Sequence, residues 1–310
     1  MMSLTATSQV HPALNAFSEM LPLRGFSGAL VCLVRQTDGW FVRKAAASLQ
    51  QNDRLKRQAL RQTVLRRRLE DVARVPDIFS DGYAEGLYFF DMQFIAGFDA
   101  ATYVSRSAFC EAQAFCGRIE NILTFASRTP SDFSTESFSW SRRSREKHDE
   151  IQARLRKSVP EEILTSALRA LTLPDECLRP TLCHGDLTLE NIIVDRSGEL
   201  WLIDANETVV EHFWMDVSKL FQDLEGQWFL RRGTAIGIGR RMWLLDRIRS
   251  HVNALAPGYA DCHNALMALT FARILPYALS KLDQEVVLSR IRYFLSQSQP
   301  VPTQESGEKQ

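Results

Sequence analysis

Apolar residues along the chain follow two periods, and the switch between them marks out the elements. Residues 29–34 (ALVCLV) and 40–46 (WFVRKAA) are rich in β-branched and aromatic side chains, with Gln36-Thr37-Asp38-Gly39 between them. Asp-Gly joining two such runs predicts a hairpin. A small turn, Gly25-Phe26-Ser27-Gly28, precedes it. Over residues 52–74 the period becomes helical: Leu55, Ala59, Leu60, Val64, Leu65, Leu69 and Val72 share one stripe, and Asn52 or Asp53 can cap its start. Residues 87–96 (LYFFDMQFIA) read as another strand, ended by Gly97, and 106–127 read as helical. The serine-rich, aperiodic stretch 128–146 predicts a mobile loop, followed by helices at 147–157 and 160–172. Residues 191–195 and 200–204 are short apolar runs joined by Arg196-Ser197-Gly198-Glu199, a second hairpin. Helical spacing then runs from 214 to 296.

Strands with one helix, then helices interrupted by one hairpin, give an α+β chain of two lobes. The division predicted is a small β-rich lobe at 1–96, a larger, mostly helical lobe at 97–296, and a disordered tail at 297–310. No internal repeat is present.

Composition narrows the class. Of 310 residues, 45% are hydrophobic and 24% charged, which excludes a disordered or fibrous chain. Lys plus Arg and Asp plus Glu both number 37; that balance argues against a nucleic-acid partner, which usually meets a basic surplus. The segment 52–74 holds eight Lys/Arg against three Asp/Glu and is read as a solvated basic face. Six cysteines include no C-x-x-C pair, so they are expected to be reduced core residues in a reducing compartment. The N-terminal stretch has no signal-peptide pattern, and the longest apolar run, 29–34, is too short to span a membrane. The expected location is cytoplasmic.

The chemistry concentrates in residues 182–206. Asp186 and Asn191 stand five apart just before one hairpin strand, and Asp204 closes the other. A tight hairpin brings its ends together, so Asn191 and Asp204 are expected to be neighbours. A carboxylate beside an amide oxygen is a hard-oxygen pair suited to Mg²⁺. With Asp186 facing the same point, the set has what phosphoryl transfer uses: metal ligands to offset phosphate charge and a free acid to orient an attacking hydroxyl. The bland alternative is that these are turn and cap residues.

His184-Gly185-Asp186-x-x-x-x-Asn191, followed thirteen residues later by Asp204 after Ile203, resembles the signature of the aminoglycoside phosphotransferase and choline kinase group, a branch of the protein-kinase-like fold. The resemblance implies a bilobal kinase-like architecture in which Asp186 is the catalytic base and Asn191 and Asp204 hold Mg²⁺. It further implies that Asp216, in Phe213-Trp214-Met215-Asp216, braces the catalytic loop, and that His184 packs beneath the metal-binding acid in a structural role. For the first lobe it implies that Lys44 contacts the nucleotide phosphates, that Gly25, Ser27 and Gly28 cover them, and that the connector Met92, Gln93, Phe94 and Ile95 meets the adenine edge.

Three departures from kinase patterns stand out. The helix after Lys44 offers Gln58 and Gln62 where kinases usually carry a Glu to hold the lysine; a glutamine could hydrogen-bond Lys44 without the charge. Asp204 is followed by Ala-Asn, not Phe-Gly. The loop Leu187-Thr188-Leu189-Glu190 lacks the lysine common in protein kinases. P-loop, H-E-x-x-H and G-x-S-x-G motifs are absent. Arg273 is read as core packing with one surface charge. Glu207, Glu211, Asp223 and Glu225, with Trp214 and Trp228, are read as helix surface and core, though acids and aromatics also suit an amine- or sugar-bearing ligand.

The expected activity is transfer of a phosphoryl group from ATP, or another nucleoside triphosphate, to a hydroxyl of a small molecule such as a sugar, amino alcohol or aminoglycoside, with magnesium. The alternatives are a non-catalytic kinase-fold module that binds nucleotide or a partner, and a protein kinase, which the loop disfavours. The oligomeric state is not written in the sequence.

Overall fold

The computed structural model describes residues 11–15, 17–23, 28–37, 39–133, 149, 179–208, 211–229, 234–278 and 280–297. The predicted helices at 147–157 and 160–172, the tail and most of the 128–146 loop lie outside these. The chain separates into two compact units, residues 1–98 with 193–207, and residues 99–192 with 208–310.

The first unit is built on an antiparallel sheet of β1 (Met20–Leu23), β2 (Leu30–Gln36), β3 (Gly39–Ala45), β4 (Ile78–Ala84) and β5 (Leu87–Gln93), in the order β1-β2-β3-β5-β4. The β2–β3 hairpin forms as predicted, with Gln36 facing Gly39 across the turn. β4 and β5 are joined by Glu85 and Gly86, both at positive φ (49° and 82°), the backbone of the tight turn that matches strand twist. Helix α1 (Asn52–Arg68) covers one face of the sheet. Leu55 and Ala59 pack there with Val42, Ala46, Tyr88, Phe90 and Met92. On the other face Leu14 joins Cys32, Val34 and Phe41, with Phe17 packed alongside.

Two local expectations are corrected. Asn52 does not cap α1 with its side chain; it donates to the Gly86 carbonyl at 2.8 Å and accepts from the Tyr88 N–H at 2.9 Å, tying the helix start to the β4–β5 hairpin. The helix ends at Arg68 instead of reaching 74, because the chain beyond it is recruited into a sheet. Arg74 exchanges backbone bonds of 2.8 Å with Leu200 and Leu202. That contact fastens the second hairpin, β7 (Ile192–Asp195) and β8 (Leu200–Leu202), which with β6 (Gly97–Asp99) forms a small sheet ordered β6-β7-β8. The Asp195 carboxylate closes the turn, accepting from the N–H groups of Ser197 (2.8 Å) and Glu199 (3.0 Å). Residues 193–207 therefore belong to the first unit, although they lie a hundred positions downstream of it.

The second unit is helical: α2 (Ala100–Arg106), α3 (Phe109–Arg128), α4 (Trp214–Leu224), α5 (Ile238–Leu255), α6 (Tyr259–Ala272) and α7 (Lys281–Gln297). The helical stretch predicted at 106–127 is α3, which starts at Phe109, and α2 precedes it without having been predicted. Ser107 and Ala108 are extended (ψ 158° and 160°) and separate the two, Asp99 caps α2 through the Thr102 N–H, and Glu111 accepts from the Ala108 N–H. α3 packs on α5, α4 on α6, and α6 on α7, around Ile119, Leu123, Phe221, Phe271 and Phe294. Gly226, just past α4, is glycine for a steric reason: a Cβ there would overlap the Phe271 ring and lie 2.7 Å from the Gln222 carbonyl oxygen.

Among the described residues, Cys32, Cys116, Cys183 and Cys262 are buried, while Cys110 is exposed on α3 and corrects the all-core expectation. No described helix is long and apolar enough to cross a membrane.

Candidate active site

The candidate residues fall into two sets, one in each unit. In the first unit Lys44 sits on β3, flanked in register by Val31 of β2 and Phe90 of β5. Its face is the one beneath α1. Strand alternation sends its neighbour Arg43 to the opposite face, where the guanidinium grips Asp91 through two bonds of 2.6 Å and lies over the rings of Phe89 and Phe17 at 4.1 and 4.5 Å.

A buried ammonium needs a partner. The Lys44 side chain, 3% exposed, ion-pairs with the carboxylate of Asp204, which is 36% exposed. Asp204 follows β8 and adopts φ 63°, a left-handed conformation that is mildly strained for a residue with a Cβ and that tends to mark functional positions. The helix glutamines do not take the lysine. Gln58 donates to the Asn206 side chain, Asn206 in turn donates to the Asp204 carbonyl at 2.9 Å, and Gln62 is spent on the Pro76 carbonyl at 2.9 Å. Gln58 thus supports the segment that carries the acid, not the lysine.

Of the expected adenine contacts, Met92 buries its side chain in the core and Gln93 spends its N–H on the Asp77 carbonyl at 2.9 Å. Phe94 and Ile95 follow β5, outside the strand. Gly25 and Ser27 lie outside the described residues; Gly28 is exposed at φ 76°.

In the second unit the loop 184–191 is held from beneath by one helix. The buried Asp216 carboxylate accepts the N–H of His184 at 2.6 Å and of Gly185 at 2.8 Å. Gly185 has φ 85°; only glycine adopts this freely, and the turn it makes lets two successive N–H groups aim at one carboxylate. His184 is buried (3% exposed). The amide of Asn191 donates to the Asp186 carbonyl at 2.9 Å and to its Oδ2 at 3.1 Å, which leaves the Asn191 carbonyl oxygen as a hard ligand. Lys219 Nζ lies 3.0 Å from Asp186 Oδ1. Asp223 accepts the Leu189 N–H at 2.7 Å.

Electrostatics separate the two acids. Burial works to raise the pKa of Asp186, but the charge and hydrogen bond of Lys219, with the charges of Arg273 and His184, outweigh it and hold the carboxyl below its usual range. Asp223 goes the other way: burial, then the charge of Glu190, push it up to about 8. Arg273, at the end of α6, therefore does more than pack, since its charge acts on Asp186.

Lys219 and Asp223 were not singled out by motif as loop-holding residues. The signal was present: Asp216, Lys219 and Asp223 stand at i, i+3 and i+7 on α4, a helix whose every residue is buried, and that spacing is one face of a helix. Two of the other downstream residues have structural partners. Glu225 pairs with His263 at 2.8 Å and Arg249 at 3.0 Å, and Trp214 packs edge-on against Tyr259.

A model of the phosphotransferase enzyme family, labelled APH, matches residues 20–249. The chain belongs to this family. The match runs from β1 into α5 and takes in every candidate catalytic and metal-binding residue. Solved structures share the fold of this phosphotransferase at low identity. An ADP-bound aminoglycoside phosphotransferase, APH(2'')-Ib, aligns at TM-score 0.57 and 16% identity over 92% of this chain and 94% of that one. A thermostable mutant of APH(4)-Ia in ternary complex with ADP and hygromycin B aligns at TM-score 0.59 and 13% identity over 92% and 95%. The GDP and kanamycin complex of APH(2'')-IIIa aligns at TM-score 0.58 and 12% identity over 91% and 93%. No curated protein matches the sequence. The fold is α+β and kinase-like, as the motif implies.

Proposed function

We propose that this phosphotransferase moves the γ-phosphoryl group of ATP, or of another nucleoside triphosphate, to a hydroxyl of a small molecule in a magnesium-dependent reaction. The observation that carries the reading is the pairing of Lys44 with Asp204. Two residues 160 positions apart are joined within one unit, as a phosphate-neutralising cation and a metal-holding anion require.

Asp186 orients the acceptor hydroxyl and accepts its proton as the acceptor oxygen bonds to the γ-phosphorus and the bond to the β-γ bridging oxygen breaks, releasing the nucleoside diphosphate. Lys44 neutralises the phosphate tail. Asn191 and Asp204 would hold Mg²⁺, and their donor set fits it: one carboxylate and one amide oxygen, both hard. Among the described residues no three His, Cys, Asp or Glu side chains form a metal cage. When bound, the metal supplies charge neutralisation on the phosphate oxygens.

Nucleotide and aminoglycoside complexes among the structural neighbours support a polyhydroxylated, amine-bearing acceptor class. The test is incubation with Mg²⁺-ATP and a panel of kanamycin, hygromycin B, simple sugars and amino alcohols, read by mass spectrometry for gain of one phosphate. A product that requires Asp186 supports the reading. Tight Mg²⁺-ATP binding with no product and no hydrolysis contradicts it and favours a non-catalytic module.

A further inference from the structure

We propose that Lys219 is a positioning residue for the catalytic acid, supplying from α4 the cation that the loop 187–190 does not carry. The inference rests on the reading of Asp186 as the acid that engages the acceptor hydroxyl, and goes beyond it by naming what aims that acid.

Lys219 occupies a costly place. It is 7% exposed, on a helix with no exposed residue. A cation there is tolerated only with partners. It has two: Asp186 Oδ1 at 3.0 Å and Gln222 Oε1 at 2.9 Å. Asp186 Oδ2 is held at 3.1 Å by Asn191. Each carboxylate oxygen therefore has its own donor, one from the loop and one from the helix, and the plane of the group is fixed from both sides. The helix carrying Lys219 also holds the loop's backbone through Asp216, one turn earlier, and Asp223, one turn later. Three consecutive charged positions on one face thus grip three points of the same loop, and the middle one takes the reacting side chain.

The chemistry asks for this. In phosphoryl transfer through a loose transition state, the acid mainly orients the nucleophile, so the aim of its oxygens matters more than its basicity. A group supported by neighbouring donors keeps that aim, and misplacement of about 1 Å can cost roughly 10²-fold in rate.

The experiment uses the full chain with Mg²⁺-ATP and water as acceptor, reading release of inorganic phosphate, so that no acceptor need be known. Lys219→Met is expected to lower kcat by about 10- to 100-fold with KM for ATP within about twofold, because Lys219 does not meet nucleotide in this reading. Lys219→Arg is expected to regain part of the loss. Asp186→Asn is expected to be as poor as the double variant Asp186→Asn, Lys219→Met, since a lysine that acts through Asp186 has nothing left to aim. Should Lys219→Met not fold, Lys219→Gln, which keeps one donor at similar volume, is read the same way against Lys219→Arg. Wild-type kcat in the folded Lys219 variant, with Asp186→Asn inactive, overturns the inference and leaves the acid's role standing. Wild-type kcat in Asp186→Asn, or no phosphate release by the wild-type chain, overturns the underlying reading and the inference with it.

Discussion

At the scale of single residues, the roles proposed for Asp186 and Asp204 are separable by substitution. Replacing Asp186 with Ala should cut turnover about 10²–10⁴-fold while calorimetry finds Mg²⁺-ATP binding preserved; unchanged turnover would refute its assignment. Replacing Asp204 with Ala should instead weaken Mg²⁺-ATP binding, while nucleotide binding without metal should be spared, because the Lys44 ammonium it releases is free to meet phosphate; calorimetry with and without Mg²⁺ checks both. The residues named by motif were legible because each needs a particular chemistry at a particular spacing. Lys219 was not, because a lysine inside an apolar helical run gives no sign of which loop will lie against it. A pH effect also belongs here. His212 is buried, and burial lowers its pKa to about 3. Between that value and about 6.5 the unfolded chain binds a proton the folded chain refuses. The His212 contribution to stability is therefore complete above about pH 6.5 and is lost as pH drops toward 3. His212→Asn, which keeps an acceptor for the Trp214 N–H, should flatten that acid loss in melting temperatures taken from pH 7 to pH 4.

At the scale of elements, α4 is the frame of the loop. Asp216→Ala leaves the His184 and Gly185 N–H groups buried without their acceptor, and unfolding in urea should show a loss of about 2–5 kcal/mol. A loss within about 0.5 kcal/mol would mean that the loop is held by other contacts. Asp223 adds a pH signature of opposite sign to His212. Its folded pKa of about 8 lies above the unfolded value near 3.9, so the folded state holds the extra proton between them. Stability should fall as pH rises through that window, by about 1.4 kcal/mol per unit at most, and Asp223→Asn should remove the slope. The elements themselves were read from the sequence wherever one face is buried. The β2–β3 hairpin shows as two β-branched and aromatic runs, the 191–204 hairpin buries every other residue of its strands, and both are joined by turn residues. β4 escaped because it is an edge strand: IFSDGYA leaves no residue fully buried, so nothing forces an apolar period on it. α2 escaped because it has only seven residues, and Ser107 and Ala108 separate it from α3 by backbone angles that neither residue type advertises.

At the scale of the whole molecule, the linear reading expected a lobe boundary near 96; the compact units are residues 1–98 with 193–207, and 99–192 with 208–310. What the order of residues hid is the return of 193–207 to the first unit through the Arg74 bridge. That return delivers Asp204 to Lys44, and it depends on a backbone pairing of Arg74 with Trp201, 127 positions apart, that no local pattern encodes. If the pairing serves nucleotide binding, Mg²⁺-ATP at about 100 times its Kd should stabilise the protein by about 2.7 kcal/mol. Lys44→Met should lose most of that gain and Asp186→Ala should keep it, a contrast that thermal melts with and without nucleotide would reveal. The most direct test is phosphate transfer itself, followed by mass spectrometry over the acceptor panel with wild type and Asp186→Asn side by side. The account predicts a singly phosphorylated acceptor from the wild-type chain and none from the variant, with both binding Mg²⁺-ATP. Equal product from the two, or none from a wild-type chain that binds Mg²⁺-ATP and releases no phosphate, would contradict it.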